Sequence, residues 1–244
     1  MLFNNSTIGG SAASGPTIYP PFQQWADFNA NGGAYTNSGA TTPCTVSGTD
    51  KCYVLKDIIS GNNIFNSTSA NQPIWYNGAS GDGPNSTPYV KFNGTSQYLL
   101  TQNAFTATDT IDLWIVMRLD SWVSGAVPIE CFTSRNLRCN SASPQIWEIT
   151  SSLVSNAALG TWQKIHMMYT GLGAGQNYIL SYTGTTNFSQ SGAAATTTEI
   201  SIGALFAGTS PCAMSLARVI AWQRPLAATE ITTVNTYLNG LYGV

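Results

Sequence analysis

In the stretch TIDLWIVMRLD, apolar and polar residues alternate. Ile111, Leu113, Ile115, Met117 and Leu119 share one face, and Asp112, Trp114, Val116, Arg118 and Asp120 take the other. A period of two predicts a β-strand whose first face is buried. The second face is apolar in part, which predicts a sheet covered on both sides along part of its length. TWQKIHMMYT and QNYILSYTG read as two further strands joined by Gly171 to Gly175, and TTTEISIGAL and CAMSLARVIAWQRP supply two more. In VKFNGTSQYLL the Asn93-Gly94 pair between short apolar runs predicts a tight hairpin with a type I′ turn, anchored by Phe92 and by Tyr98 or Leu99. Gly, Asn, Ser and Pro punctuate the strands at short intervals, the composition of a sandwich or jelly roll. The period changes only at the end: Ile231, Val234, Leu238 and Leu241 recur at helical spacing. Pro225 precedes this segment, Gly243 follows it, and Glu230 falls in the first turn, where the helix dipole favours a carboxylate.

The 244 residues suffice for one large domain with a sizeable core. Only 8% are charged, so Ser, Thr, Asn, Gln and Gly must supply the polar surface. A net charge of -2 without a basic cluster argues against nucleic-acid binding, which needs clustered Lys and Arg, and against a polybasic membrane patch. No apolar run reaches the ~20 residues of a membrane span. The amino end has neither the basic region nor the apolar stretch of a secretory signal and reads as a flexible, Gly/Ser/Asn-rich arm. The expected organisation is an anchoring arm over residues 1–21 and one domain over 22–244.

Candidate chemistry is sparse. The acids are scattered, and Glu130 with Glu148 is the pair that neighbouring strands could bring together for glycan hydrolysis. His166, the single histidine, has no Gly-x-Ser-x-Gly nucleophile to serve, and packing within its strand is the expectation. Tyr35, Tyr53, Trp75 and Tyr76 lie in loop-rich regions where rings could stack on sugar faces, with core packing as the alternative. Cys44 and Cys52 are separated by seven residues, as are Cys131 and Cys139. Each pair could close a small disulfide loop, which would imply an oxidising environment and leave Cys212 over; otherwise all five are thiols. Neither spacing suits zinc. Asp27, Asp57 or Asp82 could hold calcium with nearby carbonyls, but no spacing enforces it, and no cofactor is expected.

Several segments resemble the concanavalin A-like lectin/glucanase and laminin-G jelly rolls, in the version common in phage and viral structural proteins. WADFNA (residues 25–30) is similar to the opening Trp-Leu-Asp-Ala strand. LKDIISGNNIFNSTSANQPIW (residues 55–75) resembles Trp-x-Asp-x-Ser-Gly-Asn-Gly-Asn…Gln-Pro-x-Trp, with one extra residue before Ser60-Gly61. VKFNGTSQYL resembles Val-x-Phe-Asp-Gly-x-Asp-Asp-Tyr-Leu, and LARVIAWQRPLAATEITTVNTYLNGLYG resembles the family's ending. Asn93, Ser96 and Gln97 replace acids, which puts a calcium site there in doubt. Ala227 stands where a Ser or Thr cap is usual, and the glucanase carboxylate motif is absent. The resemblance implies an all-β, concanavalin A-like jelly-roll sandwich of antiparallel sheets with one C-terminal helix and an extended N-terminal arm. The expected function is a non-enzymatic virion component: a capsid decoration, cement or fibre subunit at the virion surface. Residues 1–21 would bind capsid protein or sister subunits of a homo-oligomer, without nucleic-acid or membrane partners. The alternatives are an extracellular carbohydrate-binding lectin or adhesion domain and, behind it, a secreted glycan hydrolase.

Overall fold

The computed structural model describes residues 26–103, 110–131, 136–142, 145–149, 152–156, 158–170, 176–182, 185–192 and 199–244. The arm expected over residues 1–21 and the Gly171–Gly175 connection lie outside them. The first strands are β1 (Ala26–Asn29), β2 (Ala34–Tyr35), β3 (Val54–Leu55), β4 (Ile64–Phe65), β5 (Ile74–Tyr76), β6 (Tyr89–Asn93) and β7 (Leu99–Thr101). There follow β8 (Thr110–Leu119), β9 (Ile129–Cys131), β10 (Asn136–Ala142), β11 (Gln145–Ile149), β12 (Ser152–Asn156) and β13 (Gln163–Thr170). The last are β14 (Gln176–Tyr182), β15 (Thr185–Gly192), β16 (Ile200–Ile202) and β17 (Ala213–Trp222), before a C-terminal helix, Ala228–Tyr242.

Two antiparallel sheets form an all-β sandwich. The first has the order β15-β14-β13-β8-β17-β6-β5, and β1 pairs β17 beyond the end of β6. The second has the order β12-β11-β10-β9-β16-β7-β4-β3-β2. Ile111, Leu113, Ile115, Met117 and Leu119 all face the core between the sheets, as the alternation predicts. Val90 and Phe92 of β6 and Met214, Leu216, Val219 and Ala221 of β17 join them there.

The change of parity along β17 has a local cause. The register against β8 shifts between Leu216 and Arg218, a β-bulge. Strict alternation from Met214 and Leu216 would carry residue 218 inward. The extra residue instead turns Arg218 outward, with Ile220 and Trp222 on the same outer side.

That outer side is covered by the helix. Val234, Leu238 and Tyr242 are buried against Trp114, Val116, Ala217, Ile220 and Trp222, with Ile231 and Leu241 packed alongside. Gly243 ends the helix at φ +67°, the left-handed conformation that suits glycine. At the start Ala227 offers no capping side chain, but Glu230 accepts a hydrogen bond from the Ala227 amide at 2.9 Å, half of a capping box. The Glu230 carboxyl is drawn down to about 2 by Arg224, which grips it with two hydrogen bonds, and by the Ala227 amide.

The expected 93–94 hairpin is replaced by a corner. β6 belongs to the first sheet and β7 to the second, so the chain crosses the sandwich between them. Asn93 Oδ1 accepts hydrogen bonds from the amides of Thr95, Ser96 and Gln97 (2.9, 3.1 and 3.2 Å), an Asx-centred turn. Gly94 alone takes positive φ there, +72°, and a Cβ on it would lie 2.7 Å from that of Ala213. Close approach to β17, not hairpin geometry, requires the glycine.

Candidate functional site

The outer face of the first sheet carries the candidate site, where β1, β17, the 77–88 loop and the helix meet. Asp27 of β1 and Arg218 of β17 sit side by side through the pairing of Asp27 with Ile220 and Asn29 with Arg218. Arg218 Nε donates to Asp27 Oδ1 at 2.8 Å and Nη2 to Asp27 Oδ2 at 2.5 Å, a two-pronged ion pair with both side chains buried. Its remaining arm, Nη1, donates to the Tyr237 hydroxyl at 2.7 Å, and the guanidinium lies 5.2 Å from that ring's centre. Burial works against the charge on Arg218, but the Asp27 carboxylate outweighs it and holds the guanidinium above its ordinary value. Burial pushes the neighbouring Tyr242 hydroxyl up to about 12, so it stays protonated across the physiological range.

Above this ion pair opens a cleft of about 150 Å³, lined by Asn29, Asn31, Thr87, Arg218, Tyr237, Leu241 and Tyr242. Asn29 Oδ1 accepts from the Asn31 amide at 2.9 Å, which fixes one rim. The opposite rim belongs to a tightly folded loop. A Cβ at Gly78 or Gly83 would come within 2.1 Å of the Thr87 carbonyl oxygen, so the loop closes only with glycine at both positions. Asn85 and Ser86 adopt φ of +49° and +58°, and Asn85 Nδ2 ties the loop to the helix end through the Leu241 carbonyl at 3.1 Å. Such conformations cost energy and persist where the surroundings over-determine them.

The same loop props an aromatic–cation stack beside the cleft. Its Asp82 carbonyl accepts from Arg118 Nη1 at 2.9 Å and Trp162 Nε1 at 2.8 Å, and its carboxylate accepts from the Tyr89 hydroxyl at 2.5 Å. Arg118 lies 5.8 Å from the Tyr89 ring centre and 5.2 Å from that of Trp162. Burial, then the Asp82 contact, raises the Tyr89 hydroxyl well above its usual value.

A third polar group lies wholly beneath the helix. Asp112 Oδ1 is hydrogen-bonded with His166 Nε2 at 2.9 Å and accepts from Trp114 Nε1 at 3.0 Å, while Oδ2 accepts from the Leu226 amide at 3.2 Å. The His166 ring stacks on Trp114, centroids 4.2 Å apart. These bonds fasten the approach to the helix to β8 and β13.

The four aromatics expected to bind sugar are not gathered in one place. Trp75 is buried in the inner core, where its Nε1 donates to the Ala30 carbonyl at 3.2 Å. Tyr76, next along β5, points to the outer side and stacks on Tyr89 at 5.0 Å. Tyr35 and Tyr53 lie at the β2–β3 edge of the second sheet, Tyr53 stacked on Phe65 at 6.3 Å. The calcium candidates are each committed elsewhere: Asp27 to Arg218, Asp82 to Tyr89, and Asp57 to the amides of Asp27 and Ile59 at 3.0 and 2.9 Å. Among the described residues no group of three or more His, Cys, Asp or Glu side chains could hold a metal. Glu130 is buried and accepts from the Phe206 amide at 3.0 Å; the register sets it opposite Asn136, and Glu148 opposite Arg138 on the next strand pair. The Glu148 side chain lies outside the described residues.

Sequence reasoning missed Arg218, Tyr237, Asn29, Asn31 and Thr87. The available signal was Arg218 itself, a charge inside the apolar run LARVIAW of a chain with few charges.

No family model matches the sequence, and no curated protein matches it. Solved structures do match in fold. A GH54 α-L-arabinofuranosidase aligns over 90% of this chain and 63% of its own, with 7% identity and a TM-score of 0.64. Domain 4 of AbnA, a GH43 extracellular arabinanase from Geobacillus stearothermophilus, solved with arabinotriose, aligns over 87% of this chain and 98% of its own, with 12% identity and a TM-score of 0.51. The Trypanosoma rangeli sialidase aligns over 87% of this chain with 10% identity and a TM-score of 0.56. This chain spans about a third of the sialidase's length. These likenesses bear out the fold, an all-β sandwich of two antiparallel sheets. They also correct the functional expectation: these three neighbours are glycosidases or a domain of one, not phage lectins, which overturns both the virion-component reading and the exclusion of an enzyme.

Proposed function

We propose that this chain recognises glycans, binding one sugar residue of an oligosaccharide in the cleft above the Asp27–Arg218 pair. The observation that carries the reading is the cleft's make-up: a half-open hollow of about 150 Å³ with a fixed cation at its floor, amide groups on one rim and a tyrosine wall. Sugars present hydroxyls that both donate and accept, over an apolar ring face. Tyr237 accepts from Arg218 and keeps its own hydrogen to donate, and the Asn31 amide offers a donor and an acceptor. The Tyr237 ring and Leu241 give the apolar surface a sugar's C–H face requires. Arabinose oligosaccharides head the candidates, because the neighbour matched along nearly its whole length was solved with arabinotriose.

Isothermal titration with arabinotriose, xylotriose and sialyllactose tests the reading. At least one should bind, and Asn31→Ala, a change to an exposed rim residue, should weaken it about tenfold or more, ~1.4 kcal/mol, without moving the melting temperature. Absence of heat for all three at millimolar concentration, or unchanged affinity in Asn31→Ala, overturns it.

A further inference from the structure

The five cysteines are all thiols and all buried. For Cys131 and Cys139 the neighbours in space are not those that sequence spacing suggests. β9 and β10 pair antiparallel with Glu130 opposite Asn136 and Ile129 opposite Leu137, so Cys131 and Cys139 lie two residues beyond the Ile129–Leu137 pair in opposite directions. Four residues of strand, ~13 Å, therefore separate Cys131 from Cys139 along the ladder. A disulfide needs Cα atoms within about 7 Å.

Cys139 meets Cys212 instead, and the backbone shows why. Cys139 is clasped by the 125–126 segment: its amide donates to the Ala126 carbonyl at 2.8 Å, and its carbonyl accepts from the Gly125 amide at 2.7 Å. The next residue, Val127, donates to the Ser210 carbonyl at 3.0 Å, and Gly203 donates to the Pro128 carbonyl while accepting from the Cys212 amide, both at 2.8 Å. This chain of bonds draws the residues before β17 up against β10, where the Cys139 thiol acts on that of Cys212 and raises it. At the β2–β3 end, where the Cys44 amide donates to the Ala34 carbonyl at 3.0 Å, Cys44 likewise raises the Cys52 thiol, whose Sγ reaches the Val54 carbonyl at 3.3 Å.

We propose that Cys139 and Cys212 form a disulfide that staples the second sheet to the first, with Cys44–Cys52 as a second, local bridge. Each bond arises by exchange with a small disulfide such as oxidised glutathione. One cysteine thiolate attacks the small disulfide and expels one reduced glutathione. The partner thiolate then attacks the mixed disulfide and expels the second. Two thiol protons leave, and two electrons pass from the cysteine pair to the glutathione pair. Both members of the inter-sheet pair are fully enclosed, so the exchange belongs to folding, before the sandwich shuts. The thiol contact and burial hold Cys212 above its usual titration range, which keeps the folded, reduced protein slow to react.

Trypsin separates the alternatives, because cleavage after Arg118, Arg135, Arg138, Lys164 and Arg218 puts Cys131, Cys139 and Cys212 on peptides 119–135, 139–164 and 165–218. The full chain is refolded from urea with oxidised and reduced glutathione, alkylated while unfolded, digested without reductant and read by mass spectrometry. The expected result is a linked 139–164/165–218 pair, with Cys131 alkylated. The linked pair should vanish in Cys212→Ser and persist in Cys131→Ser. A 119–135/139–164 linkage, or Cys139 and Cys212 both alkylated after refolding in oxidised glutathione, overturns the proposal.

Discussion

On its inner face β8 buries Ile111, Leu113, Ile115, Met117 and Leu119 among other aliphatic side chains. On its outer face it buries Asp112 with Trp114 and Val116, next to His166 and Lys164 of β13 and Arg218 of β17. The two faces differ because of what covers them. The inner face meets a second sheet whose backbone groups are spent on their own ladder, so only apolar surface fits there. The outer face meets a helix and the loops at its ends, which bring unspent amides and carbonyls: the Leu226 amide to Asp112, and the Val244 main-chain oxygen to Lys164 at 3.2 Å. Lys164 also donates to the Asn239 side chain. A cation there suits the negative end of the helix dipole. Packing volume fixes the inner face, whereas matched polar partners fix the outer one, and the cleft is a product of the second kind.

The strongest way to break that contrast is Arg218→Met, which strands the buried Asp27 carboxylate. It should cost about 3–5 kcal/mol in urea unfolding. Adding Asp27→Leu should recover most of the loss, because no unpaired charge remains. A double variant as unstable as the single one would mean the pair is not jointly buried.

On the inner face, Leu113→Ala should cost about 3 kcal/mol, with no second-site polar rescue, since only volume is lost. A loss below about 1 kcal/mol would deny that this face is close-packed.

The smallest effect concerns Lys164, whose ammonium burial lowers to about 8 from an ordinary 10.5. Between those values the unfolded chain holds the proton more firmly than the folded one, so stability rises with pH across that window. Below about 8 the penalty is constant. The melting temperature of the native chain relative to Lys164→Met should therefore climb by a few degrees from pH 8 to 10.5. A flat difference would place the ammonium in water.

The core strands were legible because alternation is a local property: residues 111–119 declare both faces, and the 231–241 spacing declares the helix. The Asn93-Gly94 turn misled because the same dipeptide serves a hairpin and a sheet-to-sheet corner. Only the destination of Leu99–Thr101, in the other sheet, separates the two. The candidate site was hardly legible. Its central contact joins residues 191 positions apart, and Trp75 and Tyr76, adjacent in sequence, leave the strand on opposite sides.

The sequence by itself determined that this is a β-sandwich with one closing helix, because periodicity and turn residues act over a few positions. Tertiary structure alone decided that a bulge at β17 turns Arg218 outward to meet Asp27 and Tyr237, and that Cys139 faces Cys212. Strand register sets both, and register follows from how the sheets pair and close, which no local pattern encodes.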